Sequence, residues 1–216
     1  RMTVREIVAE GPMIHGLWTA ADVNEKAGEA LKKVGLSPDH LSRYPHEFSG
    51  GQRQRIGVAR ALALNPKVII CDEPISALDV SIQAQVVNLL KDLKDQFGLT
   101  LVFIAHDLSM VRYVSNRMAV MYLGSIVELG PADSVFFEPK HPYTQVLIDS
   151  NPKPDPKTEK AHRRMELRGE VPTPVNLKPG CRFAGRCSKA LPECASVNPE
   201  WKEVGPGHFV ACHLFK

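Results

Sequence analysis

In the run VIICDEP an apolar stretch ends in two adjacent carboxylates, Asp72 and Glu73. Such a stretch reads as a buried strand, and in open α/β sheets ligands collect at the C-terminal end of the strands. One carboxylate there can hold Mg²⁺, usually through water. Its neighbour can orient or deprotonate an attacking water, which is the division of labour that phosphoryl hydrolysis requires. Two solvated acids at a strand end would leave the same letters, so the pair needs company. The next apolar run, TLVFIAHD, delivers His106 to the corresponding end of its own strand, although a lone histidine is more often a core or loop residue.

A second chemical feature precedes the carboxylates. In HEFSGGQRQR, Ser49 and Gln52 have the S-x-x-Q spacing of a capping box, which satisfies free N–H groups where a helix begins. Gly50 and Gly51 carry no Cβ, so a ligand can approach the backbone closely. Aligned peptide dipoles place roughly half a positive charge at such an end, and the outward N–H groups make phosphate the natural ligand. Read alone, the segment is equally a good helix cap and nothing more.

These residues need a scaffold, and the pattern around them supplies one. Thr3 with Glu6 looks like a capping box for a first helix, and a second runs from Thr19 to Val34 before Gly35. A helix from about Gly50 to Leu64 ends at Asn65 and Pro66, and KVIIC follows as a strand. Asp79 can cap the next helix, in which Ile82, Val86, Leu89, Leu90, Leu93 and Phe97 share a face, and Gly98 ends it before TLVFIA. Helices alternating with apolar strands imply an α/β fold with a largely parallel sheet. After a short helix from Leu108, RMAVMYLG and SIVELG read as two strands separated by a turn near Gly124 and Ser125. From Asn151 the text becomes NPKPDPKTEKAHRR, which reads as a linker leading to a small C-terminal module, so the expected domains are 1–150 and 151–216.

The chain of 216 residues is 44% apolar and carries a net charge of +3, enough for a real core and too little, with the basic residues scattered, to argue for a nucleic-acid groove. No apolar run approaches the length of a membrane span, and the opening RMTVREIVAE lacks the hydrophobic core of a signal peptide, so a cytoplasmic location is expected.

The order FSGGQRQR, VIICDEP, SALD and IAHD resembles the nucleotide-binding domain of ABC transporters over residues 1 to 150. The resemblance implies an ABC-type α/β fold with a helical signature subdomain. By it, Ser49, Gly50, Gly51 and Gln52 are the signature motif that meets the γ-phosphate of ATP held by an opposite subunit. Asp72 is the Walker B aspartate near Mg²⁺, Glu73 the catalytic base, Asp79 the D-loop residue at the dimer interface and His106 the switch histidine. Phe48 stands where the family usually has leucine, an apolar exchange. No G-x-x-x-x-G-K-[ST] occurs: GPMIHGLW at Gly11 and GCRFAGRC at Gly180 both lack the lysine and the hydroxyl. The start resembles the stretch just after the family's Q-loop, so the chain is expected to be an N-terminally truncated, incomplete domain, inactive alone within an ATPase parent.

The segment FFEPKHPYTQVLI, with His141, Pro142 and Tyr143, resembles a marker of oligopeptide and dipeptide importer subunits, of the F type. The expected function is then to power peptide import at the cytoplasmic face of the membrane. The partners implied are a second, different ATPase subunit, two transmembrane permease subunits and, indirectly, an extracytoplasmic substrate-binding protein. Nickel importers share this architecture. Soluble ABC ATPases acting on DNA or ribosomes remain the alternative class, without the coiled-coil insertion or basic face that would mark them, and a metal-binding regulatory module is a third.

Four of the five cysteines, Cys181, Cys187, Cys194 and Cys212, fall in the last part of the chain with spacing C-x5-C-x6-C-x17-C, whereas Cys71 lies alone in its strand. Disulfides are disfavoured in a reducing compartment, and four unliganded thiols are the plain alternative. Zinc prefers C-x2-4-C pairs, while four-cysteine iron–sulfur sites tolerate longer gaps. Residues 170 to 216 resemble the C-terminal cysteine region of dipeptide-importer ATPases, which implies a [4Fe–4S] cluster, with zinc as the runner-up.

Overall fold

The computed structural model describes residues 2–150, 169–170, 172–173, 175–176 and 179–215, so the expected linker from Asn151 lies outside the described residues up to 168. Two units are distinct, Arg1–His106 and Asp107–Lys216.

In the first unit, α1 (Val4–Ile14) starts from the Thr3 and Glu6 capping box that the sequence announces, and α2 (Val23–Lys33) precedes Gly35, whose φ of +72° ends the helical path. Thr19 does not cap α2: its N–H and hydroxyl donate to Asp22, the residue that stands at the helix start. Helix α3 (Gly50–Leu62) packs with both, and Val4, Val8, Ala27, Leu31, Val34 and Ala59 are buried among them. Each fully buried leucine or valine of this set contributes about 1.5–3 kcal/mol over leaving it in water. The Arg55 guanidinium donates to the Val34 carbonyl at 2.9 Å, tying α3 to the end of α2.

Strands β1 (Val68–Asp72) and β2 (Thr100–Ile104) pair in parallel with Asp72 opposite Ile104, and α4 (Val80–Phe97) connects them. Period-two alternation puts Ile69 and Cys71 inside and leaves Ile70 69% exposed, with Val68, Val102 and Ile104 also on the outside. The parallel pairing agrees with the α/β expectation, but among the described residues this sheet has two strands.

The second unit is built differently. After α5 (Leu108–Val114), strands β3 (Arg117–Tyr122) and β4 (Ser125–Pro131) form a hairpin through Leu123 and Gly124, both at positive φ. Helices α6 (Ala132–Phe137) and α7 (Pro142–Asp149) follow. Strands β5 (Trp201–Gly205) and β6 (His208–Ala211), which the sequence reading did not foresee, extend the hairpin into an antiparallel sheet in the order β3-β4-β6-β5. Among the described residues the larger sheet is thus antiparallel, where a largely parallel one was expected. The physical reason is the β6 edge: Val210 and Phe209 pair with Glu128 and Leu129 of β4 and use its free hydrogen-bonding side.

Candidate functional site

The start of α3 carries the capping box as read: the Ser49 N–H donates to Gln52 Oε1 at 3.0 Å and the Gln52 N–H to Ser49 Oγ at 3.3 Å. The Arg53 N–H reaches the Ser49 carbonyl at 2.9 Å, which leaves the N–H groups of Gly50 and Gly51 as donors at the helix end. Phe48, 4% exposed, anchors the turn against His40 at 5.3 Å, and its carbonyl accepts from Arg53 Nε at 3.0 Å. The glycines have a reason beyond the one read from sequence. A Cβ at Gly50 would stand 3.0 Å from Leu78 and one at Gly51 2.5 Å from the Ile82 methyl, so their first service is to let α3 start against Leu78 and the first turn of α4.

At the end of β1, Asp72 and Glu73 are both exposed. Glu73 has φ +43°, a left-handed conformation costly for a residue with a Cβ. Its N–H donates to the Ile104 carbonyl at 2.9 Å, and its own carbonyl accepts from the Ser76 N–H and hydroxyl. These bonds hold the turn and leave the Glu73 carboxylate to solvent. Gln83 steadies the same loop by donating to the Ile75 carbonyl at 3.0 Å. Asp79 stands at the N-cap of α4 but makes no side-chain capping bond, against the expectation that it caps. Its carbonyl, not its carboxylate, receives the Gln83 N–H, so the exposed acid is available for other contacts. His106 is exposed in a bend directly after β2. Since Asp72 is in register with Ile104, the carboxylates and His106 leave the same end of two adjacent parallel strands.

The cysteines of the second unit meet around one cavity. Cys181, Cys187, Cys194 and Cys212 line it together with His141, Phe183 and His213, and its volume is about 10 Å³. Gly180 makes the convergence possible: at φ +114° a Cβ there would stand 2.7 Å from the Cys194 carbonyl, which accepts the Cys181 N–H at 2.8 Å. Burial raises the Cys181 thiol, and burial with the other cysteines nearby takes Cys212 to about 11. Among the described residues no three His, Cys, Asp or Glu side chains are gathered as a metal ion would hold them. The [4Fe–4S] ligand set expected from the sequence is therefore not assembled, and the cavity has the size of one water, not of an iron–sulfur cube.

Residues that the sequence reading passed over support this cavity. Glu128, fully buried in β4, accepts from the Lys140 N–H at 2.8 Å, the His141 N–H at 2.9 Å and lies 2.7 Å from His208 Nε2 on β6. Phe183, 1% exposed, packs edge-on to Tyr122 at 5.2 Å and against Tyr143 at 5.3 Å and His141 at 5.8 Å. The signal for Glu128 was an acid at an inward position of an otherwise apolar strand, but its partner lies eighty residues away.

Residues 1–76 match the family model described as ABC transporter, and residues 127–194 the one described as oligopeptide/dipeptide transporter, C-terminal region. The structure is similar to an ATP-binding cassette of an ABC transporter in its ADP conformation, with a TM-score of 0.57 at 30% identity over 67% of this chain and 63% of that one. The fold is therefore that of the ABC nucleotide-binding class. The chain is 53% identical over 215 residues to the oligopeptide transport ATP-binding protein AppF of Bacillus subtilis, covering 100% of this chain and 65% of that protein. It is also 53% identical over 213 residues to OppF of Haemophilus influenzae, an oligopeptide transport ATP-binding protein, covering 98% of this chain and 64% of the relative. The chain is thus similar along its whole length to oligopeptide transport ATP-binding proteins, and it spans just under two thirds of the length of these relatives.

Proposed function

We propose that the chain is the signature-bearing part of an ATP-hydrolysing subunit that powers import of di- or oligopeptides. The observation that carries the reading is the pair of strand ends, where Asp72, Glu73 and His106 leave adjacent parallel strands together. In this reading Asp72 holds Mg²⁺ through water, Glu73 orients and deprotonates the attacking water, and His106 senses the γ-phosphate. The Gly50 and Gly51 N–H groups, with Ser49 and Gln52, offer the α3 N-terminus to the γ-phosphate of ATP bound on an opposing subunit, and Asp79 meets that subunit. No phosphate-cradling G-x-x-x-x-G-K-[ST] occurs in the 216 residues, so this segment supplies one face of a composite site. The partners follow: a second, different ATPase subunit, two membrane permeases and a substrate-binding protein outside, with the chain peripheral at the cytoplasmic face. No helix among the described residues is long and apolar enough to cross a membrane. Peptide cargo is favoured over nickel by the similarity to oligopeptide transport ATP-binding proteins.

The test uses the full-length parent. Glu73→Gln keeps the shape and removes the base, so ATP binding should persist while hydrolysis falls by about 10²-fold or more. Turnover close to the wild type would refute the assignment.

The shared cavity favours a second site. We infer that Cys181, Cys187, Cys194 and Cys212 bind a soft cation, for which four thiols are the right donor chemistry. The thiols are not gathered as a metal ion would hold them, so in this reading either the [4Fe–4S] cluster expected from sequence or a zinc ion draws the cysteine segments into place on binding. Metal analysis of anaerobically purified protein decides it: one zinc per chain supports the single ion, iron with acid-labile sulfide assigns the cluster, and neither leaves four ordinary thiols.

A further inference from the structure

Glu73 keeps a φ of +43°, and a residue with a Cβ stays in that region only where its surroundings over-determine it. Its N–H continues the β1–β2 ladder to the Ile104 carbonyl, and its own carbonyl accepts from the Ser76 N–H at 3.3 Å and the Ser76 hydroxyl at 3.1 Å. Both Ser76 bonds close inside the turn. They hold residue 73 relative to residue 76 but do not hold the turn relative to the rest of the fold. The buried side chains of Pro74 and Ile75 seat it from below, and its backbone is gripped from outside at the Ile75 carbonyl.

That carbonyl accepts twice, from the Leu78 N–H at 3.2 Å and from Gln83 Nε2 at 3.0 Å. Leu78 belongs to the same loop. Gln83 lies in the first turn of α4, where its backbone N–H is spent on the Asp79 carbonyl at 2.8 Å. Its side-chain amide stands outside the helix ladder and ties the loop to that helix. The helix start is braced in turn: a Cβ on Gly51 would stand 2.5 Å from Ile82, the residue before Gln83, and one on Gly50 3.0 Å from Leu78. The beginning of α3 therefore backs the same corner. Glutamine suits the task, because an amide donates this bond without adding a cation to a loop bounded by Glu73 and Asp79, whose carboxylates must stay available.

We propose that Gln83 is a positioning residue for phosphoryl hydrolysis: by holding the Ile75 carbonyl it keeps Glu73 in its left-handed conformation with the carboxylate facing solvent, where the attacking water is met. This rests on the reading of Glu73 as the base. Gln83 acts through the backbone of residues 73–75 and donates to no reacting atom. A base that is loosely held spends time in geometries from which it cannot take the proton, and a misplacement of about 1 Å costs about 10²-fold in rate. Losing one bond of a braced turn displaces the base by less, so the expected loss is about 10-fold.

The test uses the full-length parent and two variants that cannot donate. Gln83→Met keeps the length of the side chain, and Gln83→Glu keeps its shape while the ionised carboxylate only accepts. Each should lower kcat by about 10-fold and leave KM for ATP within about twofold, since the nucleotide is held elsewhere. Hydrogen–deuterium exchange of the peptide spanning residues 73–79 should quicken by about 10-fold in Gln83→Met, with the β2 peptide unchanged. In a Glu73→Gln background Gln83→Met should cause no further loss, because its effect passes through the base that is already gone. Wild-type kcat in both variants, a loss confined to KM, unchanged exchange of the loop, or a further loss in the double variant each overturns the inference and leaves Glu73 as the base. Near-normal turnover in Glu73→Gln alone overturns that reading and this inference with it.

Discussion

Replacing Gly51 by alanine tests what the second glycine of the signature segment is for. The added methyl carbon would stand 2.5 Å from the Ile82 Cγ2, where contacts under 3.0 Å force something to shift. Ile82 lies in α4 and is β-branched, so its χ1 is stiff and Cγ2 cannot swing away at low cost. Overpacking of this kind costs about 1–3 kcal/mol. In an Ile82→Ala background the obstructing methyl is gone, and Gly51→Ala should then gain up to about 1 kcal/mol from helix propensity. The two substitutions are thus expected to couple by about 2–4 kcal/mol, more than the usual additivity error of about 0.5 kcal/mol. Urea unfolding of the wild type, both single variants and the double variant gives the coupling directly. A coupling below about 0.5 kcal/mol would refute the packing account and return Gly51 to the role of clearing space for a ligand.

Two further outcomes concern the second unit. Burial holds His141 down to about 4 against the Glu128 charge, which acts the other way, while an unfolded histidine titrates near 6.5. The unfolded chain therefore binds more protons between these values. The contribution is complete above about pH 6.5, falls by about 2 kcal/mol on reaching pH 5 and is lost as pH drops through 4. Urea midpoints of the metal-free chain across pH 4–7 measure it, and His141→Asn should flatten the dependence. Glu128→Ala strips the acceptor from two backbone N–H groups and from His208, and should cost about 3–5 kcal/mol. Glu128→Gln keeps one acceptor and should cost about 1–3 kcal/mol; equal, small losses in thermal unfolding would show the cluster to be slack.

What could be read from the sequence was what is local. The Ser49 and Gln52 box, the Thr3 and Glu6 box and the stop at Gly98 depend on neighbours within a few residues, and all three stand as read. The end of β1 at Asp72 and the end of β2 just before His106 were legible because the apolar runs before them are continuous. Asp79 shows the limit of a local rule, since it occupies the cap position without using its side chain as a cap. The hairpin of β5 and β6 did carry a turn signal in Gly205, Pro206 and Gly207, but the nearby cysteines drew the reading toward a separate module. Glu128 could not have been placed: nothing near it in the chain tells that a histidine on another strand will meet it.

The pairing of β4 with β6 also fixes an order of events during synthesis. The acceptor strand is complete at Pro131, yet the strand that covers it ends at Ala211. At about 5–20 residues per second the eighty residues between Glu128 and His208 take roughly 4–16 s to emerge. Through that interval the β3–β4 hairpin offers a bare strand edge with a carboxylate turned inward, a charge that discourages another chain from adding to it. The same acid that later anchors His141 and His208 is in this sense the hairpin's protection against the wrong neighbour while it waits for the right one.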